Sequence, residues 1–120
     1  MAKKVFVTKE KAQAIAAQYP TPFYLYDEAG IRERCQQVKD AFSWNKGFRE
    51  YFAVKATPNP YIISILKEYG FGCDCSSEAE LRMAEAIGAT GDLIMFSSNE
   101  TPPHEFKYCN ELGGIINLDD

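Results

Sequence analysis

A strand-sized apolar run followed by a helix-sized amphipathic stretch recurs along most of this 120-residue chain, with a period of roughly twenty residues. Few folds tolerate that alternation. The first run is Tyr51-Phe52-Ala53-Val54, ending at Lys55. A loop with two prolines (Thr57-Pro58-Asn59-Pro60) leads to a helix carrying Ile62, Ile63, Ile65, Leu66 and Tyr69, with Gly70 at its C′ position. Phe71 to Cys75 is the second strand. Ser77, with Glu80 three residues on, reads as a capping box that opens a helix with Leu81, Ala84 and Ile87 inward and Gly88 as its stop. Leu93-Ile94-Met95-Phe96 is the third strand. Thr101-Pro102 supplies a cap and an N1 proline for a helix bearing Phe106, Cys109 and Leu112, closed by Gly113-Gly114. Ile115-Ile116-Asn117-Leu118 is the fourth strand.

These strands are continuous apolar runs more than alternating ones, which predicts strands buried on both faces and joined by helical crossovers. The fold class is therefore α/β with a parallel sheet. Each run also ends in polar residues: Lys55, then Asp74 with Ser76, then Ser97-Ser98-Asn99, then Asp119. In parallel α/β proteins the carboxyl ends of the strands form the ligand-binding rim, so the chemistry points to one edge.

The segment upstream is built differently. An alanine-rich helix covers Lys9 to Gln18 and is stopped by Tyr19-Pro20-Thr21-Pro22. Phe23-Tyr24-Leu25-Tyr26 reads as a short aromatic strand. Asp27 then caps a helix in which Ile31, Cys35, Val38 and Phe42 share a face, closed by Ser43 to Gly47. We divide the chain into residues 1–27, a helix and strand segment, and residues 28–120, the repeating βα units.

Composition excludes several functions. With 13 Lys+Arg against 17 Asp+Glu and no basic cluster, nucleic acid is not an expected partner. No apolar run approaches the ~20 residues of a membrane span, and Met1-Ala2-Lys3-Lys4 leads into no signal-peptide core. Cys35, Cys73, Cys75 and Cys109 lack disulfide or zinc spacing, and His104 is the only histidine. Free thiols in a reducing cytoplasm and no metal are expected. Gly70-Phe71-Gly72 lacks the rest of a dinucleotide fingerprint, and there is no P-loop pattern.

A lysine closing a Tyr-Phe-Ala-Val strand has two readings. Its stem can lie on apolar surface while the ammonium reaches water. Alternatively, partial desolvation leaves a nucleophilic amine that condenses with an aldehyde cofactor. Position alone leaves both open.

Three ordered segments add to position. Thr21-Pro22-Phe23-Tyr24-Leu25-Tyr26-Asp27, Tyr51-Phe52-Ala53-Val54-Lys55-Ala56 and Gly72-Cys73-Asp74-Cys75-Ser76-Ser77-Glu78-Ala79-Glu80-Leu81 together resemble the pyridoxal-phosphate (PLP) decarboxylases of alanine-racemase fold. Within that group the wording is most similar to the diaminopimelate decarboxylases. The resemblance implies that Lys55 is the lysine carrying the PLP aldehyde, that Asp74 lies near the cofactor, and that Ala53 and Glu80 line or border the site. It also implies a small amino-acid substrate, a homodimer, and decarboxylation of meso-diaminopimelate to lysine in amino-acid biosynthesis. Ser98 and Glu100 replace the glycine and lysine that commonly flank the asparagine at Asn99.

The repeats make about four units of a (β/α) barrel, whereas a closed barrel takes eight and about 250 residues. The chain is therefore expected to be the N-terminal half of a PLP-binding barrel. The phosphate site and a second, β-rich domain would lie beyond it, and it would have little turnover alone. The alternatives are a half-barrel binding or assembly module, or a relative acting on ornithine, arginine or carboxynorspermidine.

Overall fold

The computed structural model describes residues 5–118. Helix α1 (Lys9–Gln18) is capped by Thr8, whose hydroxyl accepts from the Lys11 N–H at 3.2 Å, and none of its residues is buried. Helix α2 (Glu28–Ala41) follows, then β1 (Tyr51–Ala53), α3 (Pro60–Glu68), β2 (Gly72–Cys75), α4 (Glu78–Ala86), β3 (Ile94–Ser97), α5 (Pro103–Glu111) and β4 (Ile115–Asn117). The four strands are all parallel and lie in the order β1-β2-β3-β4. Neighbours in the sheet are thus neighbours in the chain. The expected α/β repeat is present.

The last three helices close with one device. Gly70, Gly88 and Gly113 adopt φ values of +83°, +72° and +72°, a left-handed conformation that costs a glycine little. The residue after each glycine then donates its N–H to the last turn: Phe71 to the Leu66 carbonyl, Ala89 to Ala84 and Gly114 to Cys109. Each helix is thereby turned back toward the next strand, with a 3₁₀ turn (Gly91–Leu93) intervening before β3.

The two faces of the sheet differ. Cys73, Cys75, Ile94 and Phe96 point to the helices and join Val54, Ile63, Leu81, Ala84, Ala89 and Cys109 in one buried cluster. A second cluster of Cys35, Leu66 and Phe71 seals α2 and α3 beside β1, with Ile31, Val38 and Phe52 packed on it. The opposite face carries Ala53, Asp74, Met95 and Ser97, all half-buried, and the more exposed Ile115 and Asn117. In these residues the strands are buried on one face, not two: helices cover only one side. An open apolar groove of about 690 Å³ runs between α2 and the β1 edge.

Several local expectations change. Phe23 to Tyr26 form no strand; these four residues are exposed and pair with no strand, and a strand needs a partner for its backbone groups. Asp27 stands at the N-cap of α2, yet its side chain makes no capping bond. Helix α5 starts one residue late, with Pro102 as N-cap and Pro103 at N1, while the Thr101 hydroxyl donates to the Ser98 carbonyl at 2.9 Å. Asp119 lies outside the described residues. Among those described, no helix is long and apolar enough to cross a membrane.

Candidate functional site

Parallel strands bring their carboxyl ends to one edge, and each following helix starts there. β1 stops at Ala53 and turns into a 3₁₀ segment, Val54–Ala56. The turn is pinned by Val54, which is fully buried, and closed by the Thr57 N–H donating to the Val54 carbonyl at 3.1 Å. Lys55 rides in the middle of that turn. It is exposed, so in these residues the desolvation expected of a strand-end lysine is not supplied. What the turn supplies is position. It places Lys55 on the exposed rim and not in the core.

Register brings Ala53 opposite Asp74 on the uncovered face. Asp74 is half-buried, and burial pushes its carboxyl above the usual aspartate value; the Lys55 ammonium pulls it down, Glu80 pushes it up, and the Ser97 hydroxyl pulls it down. The structure therefore brings Lys55, Ala53, Asp74 and Glu80 to one corner. Glu80 caps differently from the expected box. The Ser77 hydroxyl does accept from the Glu80 N–H, at 3.4 Å, but the Glu80 carboxylate reaches past Ser77 to the Ser76 N–H at 2.7 Å and the Ser76 hydroxyl at 3.1 Å.

Of two polar residues further along the rim, the sequence marked Ser97 as a polar run ending but not Asn117. Ser97 ends β3 and Asn117 ends β4; they are register partners, and the Asn117 amide donates to the Ser97 hydroxyl at 3.3 Å. Pairing Ser97 with the residue opposite it on the next strand would have found Asn117. Asn99, by contrast, is exposed.

His104 lies on the surface in the first turn of α5, its Nε2 3.2 Å from a Glu78 carboxylate oxygen, with Glu105 close by. Arg82 is already bonded to Glu78, and two helix N-termini meet at this point. Both are poor company for a cation. The four cysteines are free and buried; burial pushes each thiol up, Cys75 furthest.

An exposed amine beside a half-buried carboxylate, on the carboxyl rim of consecutive parallel strands, defines a site suited to an aldehyde cofactor. Residues 28–119 match the family "Pyridoxal-dependent decarboxylase, pyridoxal binding domain", and the chain belongs to that family. The chain is 47% identical to Protein TabA of Pseudomonas amygdali pv. tabaci over 102 residues, covering 85% of this chain and 24% of that protein. It is 34% identical to the diaminopimelate decarboxylase of Methanothermobacter thermautotrophicus over 109 residues, 90% of this chain and 26% of that one. The chain thus spans about a quarter of the length of these relatives. Among solved structures, the lysine decarboxylase of Selenomonas ruminantium superposes with a TM-score of 0.84 at 22% identity, over 98% of this chain and 30% of that one. That likeness supports the fold.

Proposed function

We propose that this chain carries the amine-bearing side of a PLP-dependent amino-acid decarboxylase site. Lys55 is the residue that holds the cofactor, Asp74 and Ala53 line it, and meso-diaminopimelate is the substrate converted to lysine. The observation that carries this reading is the placement of an accessible Lys55 amine on the rim beside half-buried Asp74. The residues present fit the group at its aldehyde end. A primary amine is reachable from solvent, an acid lies next to it, and serine hydroxyls continue along the rim.

PLP, when bound, supplies an electron sink that makes loss of an α-carboxylate feasible. The chain's own residues do the rest that is visible here. Lys55 offers its Nζ for attachment and, once freed, an amine that can carry a proton. Asp74, on the uncovered face, keeps that ammonium oriented by charge. Ala53, with only a methyl group beside Asp74, leaves room for a flat ring to approach the sheet. A cytoplasmic homodimer belongs to the same reading, and four free thiols suit a reducing compartment.

A second substrate reading is ornithine, since the chain is also 32% identical over 97 residues to the chloroplastic ornithine decarboxylase of Nicotiana glauca. To test the site, the protein is mixed with PLP, reduced with borohydride, and the adduct mapped by mass spectrometry. An adduct at Lys55 that vanishes in Lys55→Ala is expected; labelling spread evenly over surface lysines would refute the assignment. Displacement of PLP from the Lys55 adduct before reduction, by meso-diaminopimelate set against ornithine, lysine and arginine, tests the substrate without turnover, and stronger displacement by any of the others overturns that part.

A further inference from the structure

Glu80 is the one charged residue buried among the described residues, with 8% of its surface exposed. Glutamate is almost never buried without a partner, because its charge loses hydration. Yet no Lys, Arg or His among the described residues forms an ion pair with it. Its carboxylate is held by one residue only, Ser76, through the backbone N–H and the hydroxyl.

Helix capping does not account for this. In a capping box the N3 carboxylate returns to the N–H of the N-cap residue, here Ser77. The Glu80 carboxylate instead bypasses Ser77 and binds the residue before it, the first residue beyond β2. Ser76 lies two positions after Asp74, and the residue between them, Cys75, is fully buried in the core. The backbone leaving Asp74 is thus gripped twice in succession, by packing at Cys75 and by charge-assisted hydrogen bonds at Ser76. Around Asp74 stand Lys55 from the turn after β1, Glu80 from α4 and the Ser97 hydroxyl from β3. Glu80 repels the Asp74 carboxylate, and Lys55 attracts it.

We propose that Glu80 is a positioning residue. By clamping Ser76 it fixes the carboxyl end of β2, and with it the place of Asp74 on the rim, without itself touching the cofactor. This moves Glu80 from the border of the site to its support, and it rests on the reading of Lys55 given above.

The test uses the 120-residue chain with PLP, scoring the borohydride-fixed adduct at Lys55 across a pH series. Four proteins are compared: wild type, Glu80→Ala, Glu80→Gln and Ser77→Ala. Ser77→Ala loses the helix cap but keeps the Ser76 clamp; it should be less stable with the wild-type adduct profile. Glu80→Ala should lose adduct by about tenfold or more at fixed PLP, on the scale of losing hydrogen bonds to a buried charge. Glu80→Gln can still accept the Ser76 N–H. It should recover most of the adduct while the pH midpoint of the profile moves, because the clamp stays and the charge goes. Should Glu80→Ala fail to fold by circular dichroism, Glu80→Gln carries the comparison. A Glu80 variant that is folded and matches Ser77→Ala in both adduct and midpoint overturns the proposal.

A second readout separates this claim from the cofactor assignment. Titration of the Asp74 side-chain carboxyl by NMR, without PLP, should show a lower pKa in Glu80→Gln than in wild type. If wild type forms no adduct at Lys55, the cofactor reading falls while the NMR titration still decides the positioning claim. An unchanged Asp74 titration overturns it.

Discussion

Gly72→Ala is expected to pry β1 from β2. Gly72 pairs with Tyr51, and a Cβ added there would lie 2.6 Å from both Cδ1 and Cε1 of the Tyr51 ring and 2.8 Å from the Leu93 carbonyl oxygen. Ordinary carbon contacts sit near ~3.5–4.0 Å, so about 1 Å of overlap must be relieved. Neither neighbour yields easily. The Tyr51 hydroxyl donates to the Asp92 carbonyl at 2.6 Å, and Arg49 grips the same carbonyl at 2.7 Å, so the ring is tethered. The Leu93 oxygen is backbone. Overpacking of this kind costs about 2 kcal/mol, which for a chain of this size lowers Tm by about 8 °C. Thermal and urea unfolding followed by circular dichroism measure it. Tyr51→Phe cuts the tether, so the double variant Tyr51→Phe/Gly72→Ala should lose less than the sum of the two single losses, by about 0.5 kcal/mol or more. A Gly72→Ala protein melting within about 1 °C of wild type, or strictly additive losses, would refute the steric reasoning.

Asp74→Asn should raise Tm near neutral pH. Burial holds the folded carboxyl above its unfolded value, so the stability this group contributes is full below the unfolded carboxylate range and is lost as pH rises through the folded pKa. The gap between Asp74→Asn and wild type should therefore close on acidification, as a Tm series against pH would show. The four thiols should resist a disulfide reagent in the native state and react in urea, since all are buried and burial disfavours each thiolate; rapid native labelling of Cys73, Cys75 or Cys109 would contradict the core assignment. Asn59→Ala should cost about 1 kcal/mol in urea unfolding, because the Asn59 side chain accepts from the Tyr61 and Ile62 N–H groups at the start of α3.

The repeat was legible because most of its helices announce both of their ends. Asn59 and Ser77 open helices where polar caps stand in the sequence, and Gly70, Gly88 and Gly113 close them. Lys55 and Asp74 were legible as polar endings of apolar runs. The 3₁₀ turn at Val54–Ala56 was not, since Val54 suits a strand equally well and only its burial as a pin sets it apart. The aromatic segment Phe23–Tyr26 misled for a related reason: β propensity registers residues that fit a sheet, and pairing depends on what lies alongside. Glu80 carried a capping-box signature, yet which N–H its carboxylate would choose depends on the path of the chain at Ser76. The Ser97–Asn117 bond required the register between β3 and β4, a property of two strands that neither discloses alone.

The strand order has a consequence for synthesis. Because β1, β2, β3 and β4 lie side by side in the order they are made, every strand interface closes a short stretch of chain, and the entropy of closure is small and similar at each step. Such a sheet can grow vectorially as it leaves the ribosome, each new unit docking on the one before it. Lys55 and Asp74 belong to the first two units. The amine and its acid can therefore meet before Ser97 and Asn117 have emerged from the ribosome.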